Sequence, residues 1–182
     1  MKTIILKIAT FLMCALCLFA CSGPHVSQYA NEKPVLDLSE YFSGTIDAYG
    51  IFTDRSGSVV KRFTVLIQSS WQVIDGKKVG TLDESFEYSD GTKQKRIWTL
   101  TEIAPGKYIG KADDVVGQAD GLSNGNALNW AYTLVLPVDG TIYHVQFDDW
   151  MYLVSPKVMI NKAKMSKFGI NLGEVTLSFY KR

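Results

Sequence analysis

Cysteine and histidine are almost missing from this sequence: 182 residues hold three cysteines and two histidines. Cys14, Cys17 and Cys21 all lie at the extreme N-terminus, so the rest of the chain has neither a disulfide nor a thiol nucleophile. Cys14 and Cys17 do form a C-x-x-C, but it falls inside an apolar N-terminal run and carries no redox or metal meaning there. Charge of one sign is also missing. Lys and Arg total 19 against 18 Asp and Glu, with no long run of either, which excludes a nucleic-acid partner. Long hydrophobic stretches are scarce as well: the apolar run from Ile8 to Phe19 is 12 residues, whereas a membrane-crossing helix needs roughly 20.

What is present at the N-terminus reads as a secretory signal. Lys2 and Lys7 precede the apolar run, and Ala20 stands directly before Cys21. Leu18-Phe19-Ala20-Cys21 resembles the lipobox of bacterial lipoproteins. That resemblance implies a diacylglyceryl group on the Cys21 sulfur, cleavage before Cys21 and acylation of the new amino group. Several acyl chains on one residue anchor stably where one would be marginal. Ser22 follows where an Asp would favour inner-membrane retention, so the expectation is an outer-membrane anchor with the protein facing the periplasm. Loss of Lys2 and Lys7 with the signal takes the formal charge from +1 to −1. The expected division is a signal peptide over 1–20, a lipidated cysteine and flexible tether over 21–35, and a single domain over 36–182.

Residues Leu36 to Phe42 suit one or two helical turns. Beyond them the chain becomes short segments rich in Val, Ile, Thr, Tyr, Phe and Trp, separated by turn signals such as Asp54-Arg55-Ser56-Gly57, Asp75-Gly76, Asp90-Gly91, Pro105-Gly106 and Asp139-Gly140. Strands are predicted near 44–53, 59–71, 79–89, 92–102, 107–113, 126–137, 141–153, 157–164 and 172–181. Connections this short make neighbours antiparallel. A meander of this length removes its open edges by closing, so the expected fold is all-β: a lipocalin- or calycin-like barrel of about 8–10 strands, with a two-sheet sandwich as the alternative. Phe63, Val65 and Ile67 share one face of their strand. Leu128, Trp130, Tyr132, Leu134 and Leu136 form another large apolar face, and in a barrel either face of that strand could line a cavity.

Three places invite a chemical reading. The long connection from Asp113 to Asn126 carries carboxylates and amides suited to a hard cation, but it lacks the final glutamate of an EF-hand and the Gly-Lys-Ser/Thr of a phosphate loop, so an irregular solvated segment is expected. His144, Gln146, Asp148 and Trp150 share a strand face, and a histidine near carboxylates can act as acid or base. No Gly-x-Ser-x-Gly elbow accompanies it, however, and His25 lies in the tether. Asp83 and Glu87 share a face that reads as a surface ion-paired with Lys95 or Arg96. The candidate ligand-binding residues are therefore Trp130, Tyr132, His144, Gln146, Asp148 and Trp150, with no catalytic residue, metal or cofactor assigned.

Several strings in order, among them Tyr41-Phe42-Ser43-Gly44, Ala48-Tyr49-Gly50, Leu82-Asp83-Glu84-Ser85-Phe86, Gly125-Asn126-Ala127-Leu128-Asn129-Trp130, Phe147-Asp148-Asp149-Trp150-Met151 and Phe168-Gly169, resemble the proteobacterial lipoprotein family named domain of unknown function 3833. The resemblance spans nearly the whole domain and implies a compact lipocalin-like barrel on a lipid anchor. It transfers no catalytic residue. The functional expectation is a barrel that binds or shields a small apolar or lipid ligand. An interaction module that engages an envelope protein partner is the second reading. An enzyme acting on lipid comes third, and it requires His144 inside a pocket.

Overall fold

The computed structural model describes residues 23–138 and 140–182. Cys21 and the segment read as a signal peptide lie outside the described residues. A 3-10 turn at Val26–Tyr29 and a one-turn helix, α1 (Leu38–Tyr41), precede ten strands. These are β1 (Gly44–Asp54), β2 (Val59–Ile74), β3 (Lys77–Tyr88), β4 (Lys93–Ala104), β5 (Lys107–Lys111), β6 (Ala119–Asn124), β7 (Ala127–Val138), β8 (Thr141–Ser155), β9 (Val158–Lys167) and β10 (Ile170–Lys181). Each pairs antiparallel with the next, and β1 pairs with β10 from Ile46↔Lys181 to Asp54↔Gly173. The sheet is therefore a closed barrel, and closure removes every edge that a meander would expose.

The period of two explains the interior. Ile46 and Ala48 on β1, Val65 and Ile67 on β2, Leu82 on β3, Trp98 and Leu100 on β4, and Leu177 and Phe179 on β10 are buried. Their neighbours along each strand face solvent. Every buried apolar residue among those described lies between Val26 and Phe179, so the chain beyond residue 22 contains the complete barrel and its core.

Nine strands were expected, and the tenth, β6, lies within the connection read as irregular. Its sequence, Ala-Asp-Gly-Leu-Ser-Asn, lacks the β-branched and aromatic signature of a strand. The physical reason is Trp130. A Cβ built on Gly121 would stand 2.1 Å from the Trp130 ring, and one on Gly110 of β5 would stand 2.3 Å from it. Both glycines are small because the indole lies flat across their strands.

Helix α1 plugs one end of the barrel. Asp37 caps it, its carboxylate accepting from the Ser39 and Glu40 amides, and Lys78 of β3 reaches the same carboxylate at 3.0 Å. Leu38, Tyr41 and Phe42 are buried, the Tyr41 hydroxyl donates to the carbonyls of Lys157 and Phe179, and the Trp71 indole donates to the Phe42 carbonyl at 2.7 Å.

Residues 25–35, expected to form part of a flexible tether, lie along the barrel wall instead. Val26 is buried, Tyr29 packs on Trp150 and Tyr152 with centroids 6.0 and 5.4 Å away, and the Leu36 amide donates to the Gly125 carbonyl at 2.8 Å. Gly125 sits at φ +56°, and a Cβ there would overlap the Tyr29 carbonyl. A glycine is thus required where this segment crosses the β6–β7 hairpin.

Gly121→Ala is expected to lower stability by about 1–3 kcal/mol through overpacking against Trp130, read as an earlier midpoint in urea unfolding. An unchanged midpoint would mean the indole can move aside freely.

Candidate functional site

Between the α1 plug and the opposite hairpins the barrel is hollow. The cavity holds about 810 Å³, within the range typical of small-molecule sites. Leu38 and Phe42 form its floor, and Phe52, Lys61, Tyr88, Lys93, Pro137 and Val138 stand at its mouth. The wall is aromatic: Trp98 meets Trp130 edge-on at 6.0 Å and Tyr132 at 5.6 Å, and Tyr132 stacks on Phe147 at 5.0 Å. Phe63 and Phe86 face each other at 6.1 Å across β2 and β3. Rings of this size bring much apolar surface with few rotatable bonds.

Two polar groups interrupt this wall. In the first, Arg96 of β4 donates to both oxygens of the Asp114 carboxylate, from Nε to Oδ1 at 3.1 Å and from Nη2 to Oδ2 at 2.7 Å, a bidentate pair. Its Nη1 lies 4.0 Å from Glu84, its register partner on β3, and the guanidinium sits over the Phe86 ring. Asp114 reaches this position because its segment zips onto β7: the Val135 amide donates to the Asp114 carbonyl, and Val116 donates to Thr133. Strands β5 and β6 are short, 5 and 6 residues, so this segment fills the wall between β4 and β7 that they leave uncovered.

In the second group, the Asp149 carboxylate of β8 accepts from the Tyr132 hydroxyl at 3.2 Å and from the Asn161 amide of β9, which also donates to the Trp150 carbonyl. Among the described residues, Asp149 and Asn161 are the polar ones that are buried. Burial pushes the Asp149 carboxyl up to about 7, against the opposing pull of the Asn161 and Tyr132 hydrogen bonds. Burial likewise pushes Glu84 up to about 7, with Arg96 pulling it down and Asp114, Asp149 and Asp83 pushing it further up. The Tyr132 phenol is raised well above its ordinary value by burial and by Asp149. Arg96 is held above its usual value despite burial, because Asp114 and Glu84 favour its charge.

The structure divides the six residues singled out from the sequence. Trp130 and Tyr132 line the cavity. His144, Gln146 and Asp148 do not: their face of β8 is the outer one, and all three are exposed. Trp150 shares that outer face and is buried beneath Tyr29 rather than inside the barrel. The correction is a one-residue matter of alternation, since Val145, Phe147, Asp149 and Met151 are the inward residues of β8. With His144 outside, the lipid-acting enzyme loses the group on which it depended.

Asp83 is the surface residue expected, paired with Lys95 at 3.1 Å, and Glu87 lies 3.9 Å from Lys93. Arg96, read as a surface partner for Asp83 and Glu87, points inward to Asp114 instead, and Glu84, Asp114, Asp149 and Asn161 were not among the candidate binding residues. An inward charge breaking an apolar alternation, as Glu84 does between Leu82 and Phe86, is the signal that could have found them. Among the described residues no group of three or more His, Cys, Asp or Glu is placed to hold a metal ion.

Fold and cavity together define a closed, ten-stranded lipocalin-like barrel. The chain belongs to the family described as protein of unknown function (DUF3833), whose model matches residues 15–181. No curated protein sequence matches it. Among solved structures it is similar to the S-type phycobiliprotein lyase CPES from Guillardia theta, at TM-score 0.55 and 7% identity, covering 88% of this chain and 98% of that one. It is also similar to a protein of unknown function from the DUF3598 family of Nostoc punctiforme, at TM-score 0.54 and 13% identity, covering 83% of this chain and 51% of that one. The chain thus spans about half the length of that second protein. At these identities the likeness is one of fold.

Two outcomes are expected from the buried charges. Arg96→Met leaves two inward carboxyls uncompensated and should cost about 3–5 kcal/mol in urea unfolding. Glu84 and Asp149 have folded values near 7, above their unfolded ones, so both bind protons more tightly when folded. Stability is then greatest below about pH 4 for this contribution and falls as pH rises through about 7. Glu84→Gln should flatten that fall, and a variant with the same pH slope as the parent would contradict the assignment.

Proposed function

We propose that the barrel is a binding protein that holds or shields a small apolar or lipid molecule in its interior. The cavity carries this reading: about 810 Å³ of space floored by α1, walled by aromatic rings and open at one end. Barrels of this strand number are either filled by side chains or hold one small ligand, and this one is not filled. The lyase similarity is consistent with such use of the fold but does not extend to its ligand.

We further propose that the chain is a lipoprotein anchored through Cys21 to the outer membrane and facing the periplasm, on the strength of the lipobox-like Leu18-Phe19-Ala20-Cys21 and of Ser22. Val26 is packed on the wall near the plugged end, and five residues span at most about 18 Å. An anchor at Cys21 would therefore keep the plugged end close to its membrane, with the mouth further from it.

One observation favours a second reading, an interaction module for an envelope protein. At the mouth, Phe168 is 86% exposed, Ile142 64% and Ile170 61%, and Lys167 lies over both the Tyr143 and Phe168 rings, so two hairpin tips share one apolar patch.

Native mass spectrometry of the chain from residue 22 onward, after exposure to extracted envelope lipids, separates the two. A discrete added mass is expected, and it should vanish in Ala163→Trp, which fills the cavity from β9, provided that variant keeps the parent's far-UV circular dichroism. No added mass with any lipid class would leave the interaction module as the better reading.

A further inference from the structure

Inside the barrel, acids outnumber bases. Glu84, Asp114 and Asp149 bring three carboxyls to the cavity wall, and Arg96 is the cation among them. Lys61 and Lys93 also border the cavity, but at its mouth, where each meets an acid of its own: Asp90 at 2.9 Å and Glu87 at 3.9 Å. Arg96 is committed to Asp114 by a bidentate pair and lies over Phe86. The Asp149 oxygens are held by Tyr132 and Asn161.

Glu84 is different. Its nearest cationic atom, Arg96 Nη1, is 4.0 Å away, beyond hydrogen-bond distance, and no donor among the described residues reaches it. Its side chain is only 13% exposed. Glu84 lines the cavity, so what exposure its carboxyl keeps is to the hollow interior, and that is the side on which a donor could arrive.

Resting on the ligand-binding reading above, we propose that the occupant's buried polar group is a primary ammonium on an apolar body, a hydrogen-bond donor seated against Glu84. A free long-chain amine and the amine of a lipid headgroup share this chemistry. A fatty acid does not, because its carboxylate would become the fourth acid beside a single, already paired cation.

The titration of the site agrees in sign. The groups facing Glu84 are Arg96 from β4, Asp114 from the bridging segment and Asp149 from β8, with Asp83 acting on it from the outer face of its own strand, and burial holds Glu84 near 7. A bound ammonium draws that carboxyl down and releases its proton, so amine affinity rises with pH through this range.

The test uses the chain from residue 22 onward, which contains the whole barrel, loaded with a neutral environment-sensitive fluorophore. Dodecylamine, dodecanol and dodecanoate compete for it, each below the concentration at which it self-assembles. The amine is expected to displace the fluorophore at least about tenfold more tightly than the carboxylate, the effect of one unit of pKa-scale interaction. Glu84→Gln should bring that ratio close to one. Lysophosphatidylethanolamine binding more tightly than dodecylamine supports the proposal with a headgroup as the source, and the reverse order supports it with a free amine. Dodecanoate binding as tightly as the amine to the parent protein overturns the proposal, whether or not the variant folds, as does an unchanged ratio in a folded Glu84→Gln. In both cases the cavity still binds. If neither the fluorophore nor any chain binds, the ligand-binding reading itself fails.

Discussion

The bidentate pair between Arg96 and Asp114 is the contact on which the rest of this barrel depends. Eight of the strands run 10 to 16 residues, but β5 and β6 run 5 and 6, so the wall between β4 and β7 is incomplete towards the mouth. The segment after β5 closes it by hydrogen-bonding along β7 and burying Val115, and Arg96 ties that segment to β4. A buried ion pair is not in itself a stabilising device, because desolvation offsets much of its attraction. Its value is geometric: a bidentate fork accepts one orientation, which places Asp114 at the wall and holds Glu84 close without satisfying it.

The same contact accounts for the unusual chemistry of the interior. With the side wall closed, Glu84 and Asp149 are largely buried, and that burial raises their carboxyls to about 7. An unsealed barrel would hydrate both and return them to the ordinary carboxylate range. Wall closure and acid tuning are thus one structural event, and the hollow it encloses keeps an apolar lining from Phe63 to Phe179 around a small polar centre.

How much of this was legible in the sequence depends on the length scale of each signal. The antiparallel meander followed from turn punctuation and period-two alternation, both local properties, whereas its closure rested on the removal of open edges and left a two-sheet sandwich as the alternative. Strand β6 did not follow, because Gly121 is dictated by Trp130 on the next strand, a partner that propensity cannot see. On β8, the choice between the His144 and Val145 faces turned on which side of the sheet is inward. The aromatic Trp150 misled there, since a large ring buried against Tyr29 looks the same in sequence as one buried in a core. Trp130 and Tyr132 were legible because their whole strand face is apolar. Glu84 and Asp149 were hidden by neighbours of the same charge, Asp83 and Asp148, which do face solvent or surface partners.

The N-terminal segment belongs to this architecture and is more than a link to whatever precedes it. Its path over the β6–β7 hairpin requires Gly125, covers Trp150 and Tyr152 on the outer wall, and delivers Leu38 and Phe42 to the floor of the cavity. Floor and outer strap are therefore made by one continuous stretch, and a pull on its start bears first on Tyr29 and the outer wall before it can reach the α1 plug. The Asp37 cap with Lys78 and the Tyr41 hydroxyl on two carbonyls hold that plug independently of the strap. Each of these contacts lies at the end away from the mouth, so the opening through which a ligand would pass is mechanically separate from the end nearest the N-terminus.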